Sequence, residues 1–325
     1  MLRPIVFLLV LCAIANPGLR ADAEVLGVER RVSTVFAENR DKVVRIKAAY
    51  ENGNDAGQVS LRVGTGFFVS SDGLLLANAS VTDGARRIWI EKGDTTYHAE
   101  FVAADEETNL ALLRIEDQPK GTFEFVPIDG KTHPRIGTFL LSIGCALEFD
   151  PAPRIGLVSG LDSNFGQRVF PTAYIRTTIP ANPGEGGAPV FDLNGHLLGM
   201  IVASLPEVSA SYLIPASAIG KVRDDLFLNG EVRYGWIGME VESRSRGADD
   251  EAPLLVTRVT PGGPAEKAGL EEGDRILGLD GAPVEGIHEL RHRFFLSRVG
   301  QFLGVEVERG AGTLDLSIRI APREE

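Results

Sequence analysis

The chain has 325 residues, 44% hydrophobic and 24% charged, which excludes disorder, collagen and coiled coil as its main content. Its 33 Lys and Arg against 45 Asp and Glu leave a formal charge of −12 and no basic patch, so neither nucleic acid nor an anionic membrane surface is an expected partner. A chain of this length divides into two domains more readily than it grows one core.

The first residues read as an export signal over 1–23. Arg3 precedes an apolar run from Ile5 to Ala15, Pro17-Gly18 break it, and Ala21-Asp22-Ala23 is an A-x-A cleavage pattern. The run is shorter than the roughly 20 apolar residues of a membrane span, and no later stretch is apolar enough for one. An uncleaved anchor is the alternative. Cleavage would leave Cys145 as the sole cysteine, with no intrachain disulfide. The expected location is periplasmic or secreted.

From Val43 to Ile219 the pattern is short strands between turn residues. Leu61–Ser70, Leu74–Ala77, Arg86–Glu91, Leu110–Ile115, Phe139–Ile143, Arg154–Val158, Tyr174–Thr178 and Leu197–Val202 read as strands, which predicts a β-sandwich or barrel. Ser217–Leu228 reads as a helix ended by Asn229-Gly230. A second unit follows from Tyr234, after which Ser243–Ala252 is a polar loop. Leu254–Val259 and Arg275–Leu279 are strands, Pro264–Leu270 is a short helix, Val284–Val299 contains another, and Leu303–Val307 and Leu314–Ile320 close the unit.

The second unit carries Trp236-Ile237-Gly238-Met239, Pro264-Ala265-Glu266-Lys267-Ala268-Gly269-Leu270, Glu272-Gly273-Asp274-Arg275-Ile276-Leu277 and Leu279-Asp280-Gly281. These motifs resemble a bacterial-type PDZ domain, spanning 234–322. The resemblance implies that N–H groups around Ile237, Gly238 and Met239 cap a peptide carboxylate. The peptide would add to a strand edge, opposite a helix presenting Leu290 and Phe294.

The first unit carries Gly64-Thr65-Gly66-Phe67-Phe68-Val69-Ser70-Ser71-Asp72-Gly73, Asn109-Leu110-Ala111-Leu112-Leu113, Asn182-Pro183-Gly184 and Leu193-Asn194-Gly195 in order. It resembles the trypsin-like domain of HtrA (Deg) proteases, here over 24–230. The implied fold is mainly β: a pair of perpendicular six-stranded barrels followed by the PDZ domain. The implied assembly is a homotrimer built through the stretch around Val28–Phe36.

The same motifs depart from the family at its three catalytic positions. Ser80 stands where the family has His in T-N-x-H-V-V, Asn109 where it has Asp in D-L-A-L-L, and Gly186 where it has Ser in N-P-G-N-S-G-G-P. Glycine cannot form an acyl-enzyme, a serine hydroxyl cannot act as general base near neutral pH, and Asn cannot stabilise an imidazolium. The backbone at Gly184 and Gly186 is left as an oxyanion-hole-like nest that would bind a carbonyl or carboxylate.

Other candidates are weaker. Cys145 is an apolar-flanked core filler, His98 lies in an alternating strand, and His133 and His196 sit in surface turns. His288-Glu289-Leu290-Arg291-His292 spells H-E-x-x-H, a zinc-protease motif, but it falls on the PDZ groove helix and lacks the further ligand pattern. It is expected to be a solvated helix face. No metal and no cofactor are expected.

The sequence reads as a pseudoprotease that binds peptides, protein C-termini or unfolded segments, with a scaffolding, chaperone-like or regulatory role in envelope protein quality control. Catalytic HtrA homologues are candidate partners. Two rival readings are an active endopeptidase, using relocated residues or a catalytic partner subunit, and a structural envelope subunit.

Overall fold

The computed structural model describes residues 17–51, 59–116, 123–130, 134–243 and 254–323. The apolar run of the expected signal, His133 and most of the expected polar loop at 243–252 lie outside the described residues. Helix α1 (Pro17–Asn39) runs across the expected cleavage point. Val35 of α1 is buried and Val32 and Phe36 pack against the same core, with the Arg40 guanidinium 5.7 Å from the Phe36 ring centre. The apolar residues expected at an assembly face are therefore largely used within the chain, while Val28 stays exposed.

The first barrel is formed by β1 (Val43–Glu51), β2 (Val59–Phe68), β3 (Leu74–Asn78), β4 (Arg87–Lys92), β5 (Thr95–Asp105) and β6 (Leu110–Ile115), closed in the order β1-β2-β3-β6-β5-β4. One turn of helix, α2 (Ala79–Thr82), follows β3. The second barrel takes β7 (Phe139–Gly144), β8 (Ala152–Phe165), β9 (Arg168–Thr177), β10 (Pro189–Phe191), β11 (Leu197–Leu205) and β12 (Ala210–Pro215), closed as β10-β11-β12-β9-β8-β7. Closure leaves neither sheet with an open edge. Leu140, Val190, Leu198 and Leu213 fill the second barrel, and Ile46, Phe68, Leu75 and Leu113 fill the first. A separate core containing Phe67, Leu76, Leu141, Phe191 and Met200 joins the two barrels.

Helix α3 (Ala216–Asn229) ends at Gly230, whose φ of 76° is the left-handed cap that the Asn-Gly pair predicts. The second domain contains β13 (Gly235–Trp236), β14 (Met239–Ser243), β15 (Leu254–Val259), α4 (Pro264–Lys267), β16 (Arg275–Leu279), β17 (Ala282–Pro283), α5 (Ile287–Leu296), β18 (Phe302–Arg309), β19 (Gly312–Arg319) and β20 (Ala321–Pro322). Its main sheet runs β14-β15-β16-β18-β19, so β14 is an edge strand.

Strands β6, β15 and β16 match their predicted spans, and α3 exceeds its span by one residue at each end. Strands β8 and β9 run well beyond prediction, because pairing from Val158↔Thr177 to Phe165↔Arg168 extends the hairpin into polar sequence. Strands β10 and β12 escape the sequence pattern because β10 has only three residues and β12 is interrupted by Ser211 and closed by Pro215, so neither forms an apolar run of four residues.

Candidate functional site

Ser80, Asn109 and the turn around Gly186 come together in the groove between the barrels. Ser80 lies exposed in the first turn of α2. Its N–H donates to Asn109 Oδ1 at 2.8 Å, and the Asn109 amide nitrogen donates to Val202 O of the second barrel at 2.8 Å. Asn109 itself has φ of 58°, a left-handed conformation that Asn tolerates through its short polar side chain. Its amide accepts within the first barrel and donates to the second.

The Gly184–Gly187 turn is tied to β2 through Thr65. Thr65 N–H donates to Gly186 O at 2.9 Å and its hydroxyl donates to Gly184 O at 2.7 Å. The backbone of this turn demands glycine at two positions. Gly184 and Gly187 have φ of 92°, and a Cβ added to Gly187 would lie 2.1 Å from Thr65 O. Gly186 differs: its φ is not left-handed, and an added Cβ would meet Asn78 Nδ2 at 3.0 Å with no other atom nearer than 4.0 Å. A side chain at 186 would thus meet no left-handed strain, but its Cβ would press on the buried Asn78 amide just before α2, which would have to give by a few tenths of an ångström. The N–H groups of Glu185 and Gly187 bond Asn182 O and Ile201 O. Those of Gly184 and Gly186 have no backbone acceptor among the described residues.

Glu185 does not face the groove. It is buried, accepting Arg154 Nε at 2.6 Å on one oxygen and the Asn182 N–H at 2.8 Å on the other. The carboxylate therefore braces the turn from within. Cys145 is buried, and that burial pushes its thiol up to about 11, which removes the thiolate a nucleophile needs. Among the described residues no imidazole bonds to Ser80, Asn109 or Gly186: His98 is on β5, and His196 is exposed beside Asp192 at 3.2 Å.

The second candidate site is the PDZ groove. Gly238 has φ of 79°, and a Cβ there would approach the Trp236 ring at 3.0 Å, so the loop requires glycine for its own shape and not only for ligand approach. Ile237 O and Gly238 O accept N–H bonds from Ala265 and Thr260, each at 2.8 Å. In trans peptides the following N–H groups, of Gly238 and Met239, point away from those partners. A cavity of ≈ 490 Å³ lies along Trp236–Val241, with Leu290 and Phe294 of α5 on its far side.

The sequence reading missed that this groove lies at the domain junction. Val169, Phe170 and Pro171 of β9 form part of its wall. The expectation of a solvated face on α5 is corrected. His292 Nδ1 lies 2.8 Å from Thr172 Oγ1 and Nε2 lies 2.9 Å from Ser217 Oγ, so both ring nitrogens engage hydroxyls of the first domain. Phe295 is buried in that domain's core. No group of three metal-ligating side chains occurs among the described residues. The reason is packing: helical spacing places His292 beside Phe295 on the side facing β9 and α3.

Comparison with known proteins agrees with this architecture. Residues 64–200 match the trypsin-like peptidase domain family and residues 226–308 the PDZ domain family. The chain is 30% identical over 274 residues to a protein of Ectopseudomonas mendocina named probable periplasmic serine endoprotease DegP-like, covering 81% of this chain and 57% of that one. It is 26% identical over 277 residues to the putative serine protease HhoA of Synechocystis, covering 79% of this chain and 70% of that one. It thus spans little more than half the length of the DegP-like relatives. The solved structure of the HtrA-type protease AlgW with a tripeptide superposes with a TM-score of 0.69 at 24% identity, covering 90% of this chain and 98% of that one. The serine endoprotease of Yersinia pestis gives 0.59 at 23% identity, covering 90% and 98%. Fold, domain order and relatives converge: this chain is a trypsin-like peptidase domain followed by one PDZ domain, homologous to the DegP/HtrA proteins.

Proposed function

We propose that this protein is a non-catalytic HtrA-like pseudoprotease that captures peptides or protein C-termini in its PDZ groove, in the periplasm, as a scaffold, chaperone or regulator in protein quality control. The observation that carries the reading is Gly186. Its φ imposes no left-handed strain on a side chain, yet it has none, and by the sequence resemblance Ser80 and Asn109 stand where the family has its base and orienting acid. Without nucleophile and base, the loss of triad catalysis is on the order of a million-fold. The backbone N–H groups of Gly184 and Gly186 remain available to hold a carbonyl or carboxylate without cleaving it.

Peptide capture is supported by the edge strand β14, the loop at Ile237–Met239, and the apolar side chains Leu290 and Phe294 across the cavity. Main-chain pairing would supply general affinity and the apolar pocket would select the last side chain. A homotrimer, and mixed assembly with catalytic homologues, belong to the same proposal.

Purified protein should fail to label with a fluorophosphonate probe and fail to degrade casein. Turnover that survives repurification and disappears on substitution of a residue of this chain would overturn the non-catalytic reading. Peptides with a free apolar C-terminus should bind in calorimetry, and amidating that terminus or introducing Phe294→Ala should weaken them about tenfold or more. Amidation without effect would remove the carboxylate-capture model.

A further inference from the structure

The PDZ groove contains an arginine without a carboxylate partner among the described residues. Arg291 lines the cavity from α5, between Leu290 and Phe294 in sequence. Its Nη1 donates to Phe170 O at 3.2 Å, and its Nε is buried with no hydrogen-bond partner among the described residues. Burial pushes its guanidinium pKa down, the sign of a cation separated from water without a compensating anion. A guanidinium presents five donors in a planar fork, so one carbonyl leaves most of its capacity unused.

The acidic groups nearby are committed elsewhere. Glu107, which lines the cavity, pairs with Arg323, and Glu240 pairs with Arg258. On α5 itself, Glu289 pairs with Arg293 and takes the Glu285 N–H on its other oxygen. The wall opposing Arg291 is rigid: Phe170 stacks on Tyr174 with ring centres 4.4 Å apart and meets Tyr212 edge-on at 5.1 Å. Arg291 is therefore held in place by the first domain while its charge stays uncompensated.

We propose that Arg291 makes the groove selective for peptides that carry a carboxylate side chain one to three residues before an apolar C-terminus. This rests on the peptide-binding reading and specifies its ligand. A peptide added to β14 places successive side chains on alternate sides, so residues near its end pass both α5 and the β9 wall. Phe294 marks the end of the groove that receives the terminus, since a Cβ at Gly235, next to the loop, would lie 3.7 Å from its ring. Arg291 lies about one helical turn back from that end. A planar carboxylate would then receive the unused donors of the fork.

The test is fluorescence anisotropy on the full chain, with peptides sharing one apolar C-terminus. They carry Gln or Glu at the first, second or third residue before the end. At least one Glu peptide should bind about tenfold tighter than its Gln counterpart. This ratio should fall as salt rises and should persist when both peptides are amidated. Arg291→Gln should bring the ratio to about one. Should Arg291→Gln fail to fold, Arg291→Lys, which retains the charge, should retain a ratio above one. Equal binding of Glu and Gln peptides at every position, or a ratio unchanged in Arg291→Gln, would overturn the selectivity while leaving peptide capture intact. A ratio abolished by amidation would assign Arg291 to the terminal carboxylate and also overturn it. If no peptide binds, the Gln peptides included, the peptide-capture reading fails first and this proposal with it.

Discussion

Asn109 shows how one side-chain amide can hold two barrels together. Its carbonyl oxygen accepts the Ser80 N–H and its amide nitrogen donates to Val202 O, 93 residues away in sequence. A carboxylate would satisfy the first bond but turn an acceptor toward the Val202 carbonyl. Asn109→Asp should therefore destabilise the protein by about 1–3 kcal/mol at neutral pH, the cost of a lost partner at a partly buried pair. Chemical denaturation of the single variant checks this, and a variant as stable as the parent would show that the amide is not needed. By the same reasoning Ser80→His, Asn109→Asp and Gly186→Ser together would supply the residue types that the resemblance implies for a triad, but not their setting. Glu185 and Ala188 would still differ from the family pattern, with Glu185 locked to Arg154 and the Asn182 N–H.

Among the elements, the turn before β16 is clamped to the end of β18. Asp274 is buried and receives Arg309 Nε at 2.6 Å, Arg309 Nη2 at 2.7 Å and the Glu271 N–H at 2.9 Å. Burial opposes ionisation of Asp274, but the Arg309 guanidinium and the Glu271 N–H outweigh it and hold the carboxyl below its ordinary range. A carboxyl depressed in the folded state binds its proton less readily there than when unfolded. It adds stability above the unfolded value of about 3.9, and that contribution is lost as pH falls through the folded value. Asp274→Asn should lower the melting temperature at pH 7, and the gap from wild type should close toward pH 3. A gap independent of pH would mean that shape rather than charge holds the turn. The motif Glu272-Gly273-Asp274 makes the turn legible in sequence. Its partner Arg309 was not, because 35 residues separate them.

At the scale of the whole molecule, the two domains share side chains rather than merely touching. Tyr234 donates to Asp105 at 2.8 Å, and burial, reinforced by Asp105, pushes its phenol pKa up, so it stays a donor. Phe295 belongs to the core that also holds Val222 and Leu226 of α3, with the Lys221 ammonium 5.2 Å from its ring centre. Phe295→Ala should cost about 3–5 kcal/mol and detach α5 from the first domain. Calorimetry should then resolve the single unfolding transition expected of the parent into two, one for each domain. A variant that still unfolds in one step would show that Tyr234, Arg323 and His292 suffice for coupling.

Local structure is what the chain's own order of residues determined: the short apolar runs that form β6, β15 and β16, the Asn-Gly stop of α3, and the presence of Ser80, Asn109 and Gly186 at three turns. Each depends on neighbours within a few residues, so periodicity and turn chemistry report it. The tertiary structure alone decided that Asn109 bridges the barrels, that Glu185 turns inward, and that His292 serves the domain junction through residues 120 and 75 positions away. It also decided that Arg291 borders a groove walled partly by β9. Such contacts arise when distant surfaces exclude water together, and nothing in the spacing of either partner carries the address of the other.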